Sequence, residues 1–202
     1  MPSHPWHDVE LPDDITDAIP AVIEIPTGAK IKYELDKKSG LLKVDRVLFS
    51  AVHYPANYGF VPRTYCDDGD PLDILVYCQE VIAPLAIMRA KVIGVMRMRD
   101  DKGEDDKLIA VHADDPEYAG YMDLFQMPPH RMRELKRFFQ DYKALEHKQV
   151  LVRDPEGRER ALETLGAAIE LYRRERRRLI AAHTTRPVAS AGHSREAGRR
   201  RK

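Results

Sequence analysis

The segment DDGDPLDILVY, residues 67–77, joins an acidic turn to a short apolar run. Residues 74–76 are a continuous apolar stretch of the kind found in a buried strand. Asp68, Asp70 and Asp73 stand ahead of it and concentrate negative charge in the turn. Carboxylates that lie close together repel one another, and burying them is costly unless a cation neutralises them. The segment therefore predicts a buried strand beside a candidate site for Mg²⁺, Mn²⁺ or Ca²⁺.

Two other interpretations of this turn have to be weighed. A solvated Asp/Gly turn would need no ligand, and for an isolated motif it is as good an interpretation. A calcium loop of the EF-hand type fails, because Leu72 and Asp73 stand where an oxygen ligand and the turning glycine belong. No helical pattern precedes the turn either, so the EF-hand interpretation is discarded.

A second acidic segment, DDKGEDDK at residues 100–107, lies between two stretches of β pattern. Alone, such a segment is most often a solvated hairpin loop. If both acidic segments lie at one end of a barrel, they could together hold several divalent ions. Several metal ions that bind the attacking and leaving oxygens are a known arrangement for phosphoryl transfer.

The β pattern extends through the first half of the chain. Short segments rich in Val, Ile and Tyr, separated by turn signals, predict strands at residues 21–25, 30–35, 41–48, 71–77, 87–98 and 108–112. Regularly spaced short strands of this kind favour a closed barrel of mostly antiparallel strands.

Helical periodicity follows in the second half. A proline pair at residues 128–129 opens a segment in which apolar residues recur every three or four positions up to Leu145. After a predicted strand at residues 150–153, a second helix is expected to begin near residues 154–156 and to continue to about Ala182. The predicted fold class is α+β, with a β-barrel followed by two helices on its outside.

The charge of the chain is divided between its two parts. The 202 residues carry no net formal charge, but residues 173–202 hold a balance of +9 and residues 1–172 a balance of −9. The acidic part is compatible with a solvated surface or with carboxylates gathered for metal ions. We expect residues 1–182 to form a single domain. Residues 183–202, rich in Ser, Gly, Pro and Arg, are expected to be a disordered basic tail.

Three features of the sequence bear on its location. No apolar run approaches the ~20 residues of a membrane span, and the N-terminus lacks the basic-then-apolar order of a secretory signal. Cys66 and Cys78 are too few for a disulfide framework and have no partner at metal-binding spacing. These features predict a protein of the reducing cytoplasm that makes no membrane contact.

Cationic and phenolic side chains are candidates for binding phosphate. Lys32 and Arg46 lie on predicted early strands, and Lys107 ends the second acidic segment. Two tyrosines frame a turn at residues 54–58, and a Tyr-Lys pair at residues 142–143 lies on the first predicted helix. Ammonium, guanidinium and phenol groups bind phosphate oxygens. Taken singly, however, each such residue is more often a surface charge or a packed aromatic, so these residues alone do not select a substrate.

A set of short motifs occurs in a fixed order along the chain. The motifs are EIP (24–26), IKYE (31–34), VDR (44–46), YPANYGF (54–60), DGDPLD (68–73), GEDDK (103–107) and YK (142–143). Each is weak alone, but together they resemble the soluble inorganic pyrophosphatases of family I over about residues 23–154. The resemblance implies an OB-like five-stranded β-barrel with outer α-helices. It also implies Mg²⁺-dependent hydrolysis of inorganic pyrophosphate to two orthophosphates by metal-activated water.

The family motifs also imply a set of metal ligands, carried over position by position. The matching acids are Asp68, Asp73 and Asp105 for the direct ligands of the tightest metal site, Asp100 for another site, and Glu24, Glu34 and Asp101 for metal contacts made directly or through water. Asp101 stands where many members of the family have Glu. The resemblance implies three to four Mg²⁺ per active site, with Mn²⁺ or another divalent ion as a possible substitute.

The same motifs imply catalytic and substrate-binding groups. Asp70 corresponds to the general base for the attacking water, and Tyr58 to a residue beside that nucleophile. The residues that match phosphate-binding groups are Lys32, Arg46, Lys107, Tyr142 and Lys143, with Tyr54 nearby. Residues 1–182, expected from the length of the chain to form a single domain, would then be one catalytic domain. The resemblance further implies that the chain forms a homo-oligomer, a hexamer in compact bacterial members.

Two rival classes of protein remain at this point. One is a hydrolase of another phosphate substrate, such as a nucleotide, but the chain contains no GxxxxGK[ST] loop. The other is a nucleic-acid-binding module, which an OB-like barrel and a basic tail would suit. Its weak point is the acidic body of the chain, so nucleic acid is expected only as a weak partner of the tail.

Overall fold

The computed structural model describes residues 4–100, 103–146, 148 and 150–184 of the chain. Its strands are β1 (Ile19–Ile25), β2 (Ile31–Leu35), β3 (Leu42–Val47), β4 (Asn57–Phe60), β5 (Asp73–Tyr77), β6 (Ile87–Met96), β7 (Met98–Asp100), β8 (Gly103–Glu104), β9 (Lys107–His112), β10 (Leu151–Val152) and β11 (Glu156–Gly157). Its helices are α1 (Pro129–Asp141) and α2 (Arg158–Thr184), with 3₁₀ turns at Leu124–Gln126 and Ala144–Glu146.

Within the described residues, five strands close into a barrel. Their order is β1-β4-β5-β9-β6, and β6 pairs back onto β1. The β5–β9 pair is parallel, whereas the other neighbours in the barrel are antiparallel. The prediction of an α+β fold with a closed, mostly antiparallel barrel is confirmed. Because parallel strands begin at the same end of a sheet, the acidic residues that precede β5 and β9 meet at one rim.

The apolar run after the first acidic segment forms β5, which is buried on both faces. Ile74 and Val76 pack in a cluster with Leu165 of α2. Leu75, which points the other way, packs in a cluster with Phe138 of α1. The strand therefore lies between two cores, as a continuous apolar stretch predicts.

β4 is a strand that the sequence pattern does not predict. Residues 54–58 contain a proline and an asparagine, which signal a turn. In the structure, Gly59 pairs with Ile23 of β1, and a Cβ atom at Gly59 would lie 1.9 Å from the carbonyl oxygen of Val22. The strand therefore depends on a close backbone contact that only glycine allows.

β6 ends at Met96, although the sequence pattern extends one strand to Met98. The intervening Arg97 leaves the barrel ladder. Its side chain forms an ion pair with Asp106, and its carbonyl oxygen accepts a hydrogen bond from the Arg153 amide at 3.0 Å. β7 then pairs with β8 and β10, so the second acidic segment is part of a short hairpin.

Both predicted helices are present, with shifted ends. α1 begins at Pro129, as predicted, but ends four residues before the predicted Leu145. α2 reaches Thr184, two residues beyond the predicted Ala182. Among the residues described, no helix combines the length and the apolar character needed to cross a membrane. Residues 185–202 of the predicted tail lie outside the described residues.

Candidate active site

A cavity of about 460 Å³ opens at the rim where β5 and β9 begin. Residues of β1, of the β2–β3 hairpin and of the segment that follows α1 complete its wall. The predicted site residues that line it are Glu24, Lys32, Glu34, Tyr54, Tyr58, Asp68, Asp70, Asp73, Asp105, Lys107, Tyr142 and Lys143. The fold thus brings together residues from both halves of the chain.

Three further predicted residues stand apart from this set. Arg46 lies opposite Lys32 in the β2–β3 hairpin and is held by Glu146, with Nε 2.8 Å from Oε1. The Nη2 atom of Arg46 is buried and has no hydrogen-bond partner among the described residues. The side chain of Asp100 and the whole of Asp101 lie outside the described residues, so their metal contacts stay predictions.

Lys107 lies at the centre of the carboxylates. It pairs in register with Asp73 across the parallel strands, and its Nζ lies 2.5 Å from Asp73 Oδ2 and 2.9 Å from Asp105 Oδ1. The Tyr58 hydroxyl donates a hydrogen bond to Asp73 and lies 3.2 Å from the same Nζ. Burial alone would lower the pKa of Lys107, but the charges of Asp105 and Asp73 raise it well above its ordinary value. The ammonium is therefore a permanent positive charge among the aspartates.

Burial raises the pKa of several acids at this rim. It raises the pKa of Glu24 to about 8, and the charge of Asp73 adds to the effect. It raises the pKa of Asp68 to about 6, where neighbouring aspartates repel the ionised form. The pKa of Asp73 is raised by burial and by Asp105, although Lys107 opposes the shift. A raised pKa means that the surroundings favour the neutral carboxyl, and the positive charge of a bound cation would favour the ionised form instead.

The donor set at the rim fits a hard divalent cation. Its candidate donors are carboxylate oxygens, the ligands that Mg²⁺ prefers. In the part of the chain that the structure describes, no three His, Cys, Asp or Glu side chains lie close enough to enclose an ion. The ammonium of Lys107 instead lies between Asp73 and Asp105. The chemistry of the rim therefore suits a metal ion, while lysine holds two of its carboxylates in this structure.

Further lysines line the same cavity. Lys32 Nζ lies 2.5 Å from Glu34 Oε1 and 3.5 Å from Asp45 Oδ2. Lys143 is only 9% exposed, and its Nζ lies 5.3 Å from the ring centroid of Tyr142. Ammonium groups next to carboxylates suit a polyanion that binds together with metal ions.

The structure also adds residues that the sequence analysis does not assign. Lys37, Lys38, Lys43 and Glu104 line the cavity as well. The three lysines belong to the turn and the strand of the β2–β3 hairpin, where the local pattern indicates only a charged turn. Glu146, the partner of Arg46, is 100 positions away from it in the chain. No signal in the sequence could have revealed such a contact, because it arises only when the 3₁₀ turn after α1 lies against the hairpin.

Comparisons with known proteins identify the family of this chain. A family model described as Inorganic pyrophosphatase matches residues 21–173. Soluble inorganic pyrophosphatase 2 of Chlamydomonas reinhardtii is 57% identical over 170 residues, which cover 84% of this chain and 88% of that protein. Soluble inorganic pyrophosphatase 1 of Arabidopsis thaliana is 52% identical over 170 residues, covering 84% of this chain and 80% of that protein.

Solved structures agree with this finding. The inorganic pyrophosphatase of Helicobacter pylori superposes with a TM-score of 0.78 at 44% identity, covering 81% of this chain and 98% of that one. The inorganic pyrophosphatase of Thermus thermophilus gives a TM-score of 0.78 at 38% identity, with 81% and 96% coverage. The chain belongs to the inorganic pyrophosphatase family. The resemblance seen in the motifs is thereby confirmed, and so is the class of enzyme, an inorganic diphosphatase.

Proposed function

We propose that this enzyme catalyses Mg²⁺-dependent hydrolysis of inorganic pyrophosphate to two orthophosphates. The observation that carries the proposal is one cavity lined both by carboxylates, of which Glu24 is buried, and by lysine ammoniums. Pyrophosphate is a compact polyanion, and catalysis of its hydrolysis depends mainly on positioning and on neutralisation of charge. A cavity with oxygen donors for metal ions and ammoniums for phosphate oxygens supplies both.

The carboxylates are proposed to hold three to four Mg²⁺, a number taken from the family resemblance. Asp68, Asp73 and Asp105 would hold the tightest ion, and the acids proposed for the other ions are Glu24, Glu34, Asp100 and Asp101. When bound, the divalent ions lower the pKa of a water molecule and neutralise charge on the diphosphate. Mn²⁺ is proposed as a substitute, because it also prefers oxygen ligands.

Asp70 is proposed to act as the general base. Its side chain lies in the cavity and is 45% exposed, so water reaches it. Asp70 accepts a proton from the attacking water while the water oxygen forms a bond to one phosphorus. The bond between that phosphorus and the bridging oxygen breaks, and the second orthophosphate leaves with the bridging oxygen. The proton then passes from Asp70 to solvent or product.

The remaining polar residues are proposed to bind and orient the substrate. The residues proposed to contact phosphate oxygens are Lys32, Arg46, Lys107, Lys143, Tyr142 and Tyr54. Support for Arg46 comes from its buried Nη2, which finds no acceptor in the part of the chain that the structure describes, since a buried donor without an acceptor is costly unless a ligand supplies one. Tyr58 is proposed to lie beside the nucleophile, where its hydroxyl holds Asp73.

We also propose how the chain is organised and how it assembles. Residues 1–182 act as one catalytic domain, and the enzyme is a cytoplasmic homo-oligomer, a hexamer by resemblance. A general nucleic-acid-binding role is disfavoured by the carboxylates of the cavity, which repel a phosphate backbone. The basic residues that follow α2, which lie outside the described residues, are proposed to attract nucleic acid weakly at most.

The experiment that tests this function is phosphate release from pyrophosphate in the presence of Mg²⁺. The control is the same reaction with EDTA, and a second arm replaces pyrophosphate with ATP. We expect rapid release from pyrophosphate with Mg²⁺ and only background release in the other reactions. Equal release in EDTA would contradict the metal dependence. A clear preference for ATP would support a nucleotide hydrolase instead.

A further inference from the structure

The turn between β2 and β3 carries a lysine that contacts the proposed general base. Lys37 Nζ forms an ion pair with Asp70 Oδ1 and donates a hydrogen bond to the carbonyl oxygen of Gly69, 2.8 Å away. The two acceptors are consecutive residues of the acidic turn. One ammonium therefore contacts both the side chain of the base and the backbone next to it.

The N-terminal segment, residues 4–8, holds this lysine from the other side. Lys37 Nζ lies 5.7 Å from the ring centroid of Trp6, within the range of a cation–π contact. His4 Nε2 donates a hydrogen bond to the carbonyl oxygen of Lys37 at 2.9 Å. Trp6 is fully buried, so its ring is a fixed surface for the lysine.

Trp6 is also tied to the acidic turn through Thr64. Trp6 Nε1 donates a hydrogen bond to the carbonyl oxygen of Thr64 at 2.8 Å. The hydroxyl of Thr64, also fully buried, accepts a hydrogen bond from the Leu72 amide at 2.8 Å. The indole therefore reaches the acidic turn by two routes, one through Thr64 and the other through Lys37.

We propose that Lys37 is a positioning residue for Asp70 and that Trp6 keeps Lys37 in place. The inference rests on the proposed role of Asp70 as general base. The ion pair uses Oδ1 of Asp70, so it restricts rotation of the carboxylate and assigns proton acceptance to Oδ2. Trp6 precedes the residues 21–173 that match the family model, so the N-terminal segment supports the active site from outside that region.

The effect of Lys37 is on orientation rather than on stability. The side chains of Lys37 and Asp70 are 34% and 45% exposed, and ion pairs as exposed as this add little to the free energy of unfolding. A displaced catalytic group, by contrast, can lower turnover by about 10²-fold even when the displacement is about 1 Å.

Lys37 lines the cavity, so direct binding of a phosphate oxygen is the competing interpretation. The two roles differ in their kinetic signature. Loss of a substrate-binding group that acts equally in the ground state and the transition state raises KM. Loss of a group that only orients the base lowers kcat and leaves KM nearly unchanged.

The first experiment compares Lys37→Met, Lys37→Arg and a matched control, Lys136→Met, by steady-state kinetics on pyrophosphate at saturating Mg²⁺. Lys136 forms an ion pair with Asp154 and does not belong to the residues that line the cavity; its side chain is 32% exposed, close to the 34% of Lys37. Its loss therefore removes equal charge and a similar ion pair without the contact to Asp70. We expect Lys37→Met to lower kcat about tenfold, with KM changed less than about twofold. Lys37→Arg should recover most of that loss, and Lys136→Met should stay within about twofold of the parent.

The second experiment repeats Lys37→Met in an Asp70→Asn background. If Lys37 acts through Asp70, the two substitutions are not additive, and the double variant is about as active as Asp70→Asn alone. Additive losses, or a rise in KM in place of a fall in kcat, would overturn the positioning role and leave the general base intact. If Asp70→Asn itself keeps full turnover, the proposed function of Asp70 fails first, and the positioning role fails with it.

A third variant tests the contribution of Trp6. Trp6→Leu should lower kcat about threefold and lower the melting temperature, since it removes a fully buried ring. In a Lys37→Met background, the same substitution should still lower the melting temperature but should not lower kcat further. A further fall in kcat in that background would show that Trp6 acts on the site by a route that excludes Lys37.

Discussion

The two ends of β5 hold acids whose pKa values are shifted in opposite directions. At the end where β5 begins, burial raises the pKa of Glu24 to about 8 and that of Asp68 to about 6. Beyond the other end, Asp115 is also buried, at 4% exposure. Burial alone would raise the pKa of Asp115 too, but hydrogen bonds from Gln79 and Glu117 outweigh it and lower that pKa.

The difference lies in the number of donors that each carboxylate meets. Asp115 accepts hydrogen bonds from the amide and the side-chain nitrogen of Gln79, at 2.8 and 2.7 Å, and from the Glu117 amide at 2.9 Å. For Glu24 the structure gives a hydrogen bond from the Leu35 amide, at 2.7 Å. A buried carboxylate that meets enough donors has a structural role, whereas one that meets too few is suited to a cation.

The substitution Asp70→Asn should have the largest effect on activity. If turnover were unaffected, the contrast between a catalytic and a structural end of β5 would be wrong. Removal of a general base lowers turnover by about 10²–10⁴-fold, because the attacking water is no longer deprotonated. The matched control at the structural end is Asp115→Asn, which should leave kcat within about threefold. Steady-state kinetics on folded protein check both, and near-parental turnover of Asp70→Asn would contradict its role.

Replacing Lys107 tests whether Mg²⁺ stabilises the protein at the rim where β5 begins but not at the end near Asp115. Lys107→Met removes a buried ammonium from the half-buried Asp73 and Asp105, and loss of one partner of a buried pair costs up to about 3–5 kcal/mol. We expect this loss in urea unfolding with EDTA, and a partial recovery with Mg²⁺. Asp115→Asn should cost about 1–3 kcal/mol equally in both solutions. If Lys107→Met lowered the free energy of unfolding equally with and without Mg²⁺, metal binding at this rim would be contradicted.

A smaller effect is expected for Asp105→Ala, which sharpens the assignment of metal ligands. Losing one of the proposed ligands of the tightest ion should raise the Mg²⁺ concentration for half-maximal activity about tenfold, equal to about 1.4 kcal/mol. The metal-free protein should be little affected, since the substitution also relieves repulsion with Asp73. Mg²⁺ titrations of activity provide the measurement. An unchanged midpoint would exclude Asp105 from the metal site.

The smallest effect concerns the pH dependence of the metal-free protein. The folded pKa of Glu24, about 8, lies above its ordinary value of 4.5, so the folded state binds the proton more tightly than the unfolded state. The contribution of Glu24 to stability is therefore full below about pH 4.5 and is lost as pH rises towards 8. Its slope is at most about 1.4 kcal/mol per pH unit.

Glu24→Gln is the variant that isolates this contribution. Glutamine keeps an oxygen acceptor for the Leu35 amide but does not titrate. Thermal unfolding between pH 5.5 and 8.5 in EDTA should show a shallower decline for Glu24→Gln than for the parent. Parallel curves for the two proteins would contradict the raised pKa of Glu24 in the metal-free protein.

What could be predicted from the sequence was the part of the site that is local in the chain. Asp73 and the apolar residues after it are neighbours, so charge and burial can be read from one segment. The hydrophobic pattern also indicates β5 and α1, because each has a regular period. The ordered motifs then supplied the family, which the comparisons confirm.

What could not be predicted depends on contacts between distant segments. β4 was missed because the close approach of Gly59 to Val22 is a tertiary contact. The sequence does not identify Lys37 as a site residue, because its contacts with Trp6 and Asp70 join segments that are far apart in the chain. Local patterns indicate which side chains are buried and what chemistry they carry. They do not indicate that the turn between β2 and β3 lies next to the rim where β5 and β9 begin.

The parallel pairing of β5 with β9 has a consequence for how the protein folds. β9 is the last strand of the barrel in chain order, and β6, β7 and β8 separate it from β5 along the chain. Non-local pairings of this kind form late, because the entropy cost of closing the loop comes before any stabilisation by the contact. Asp105 therefore meets Asp73 only at barrel closure. Lys107, the first residue of β9, follows Asp105 by two residues, so the step that brings the repelling charges together also brings in their counter-ion.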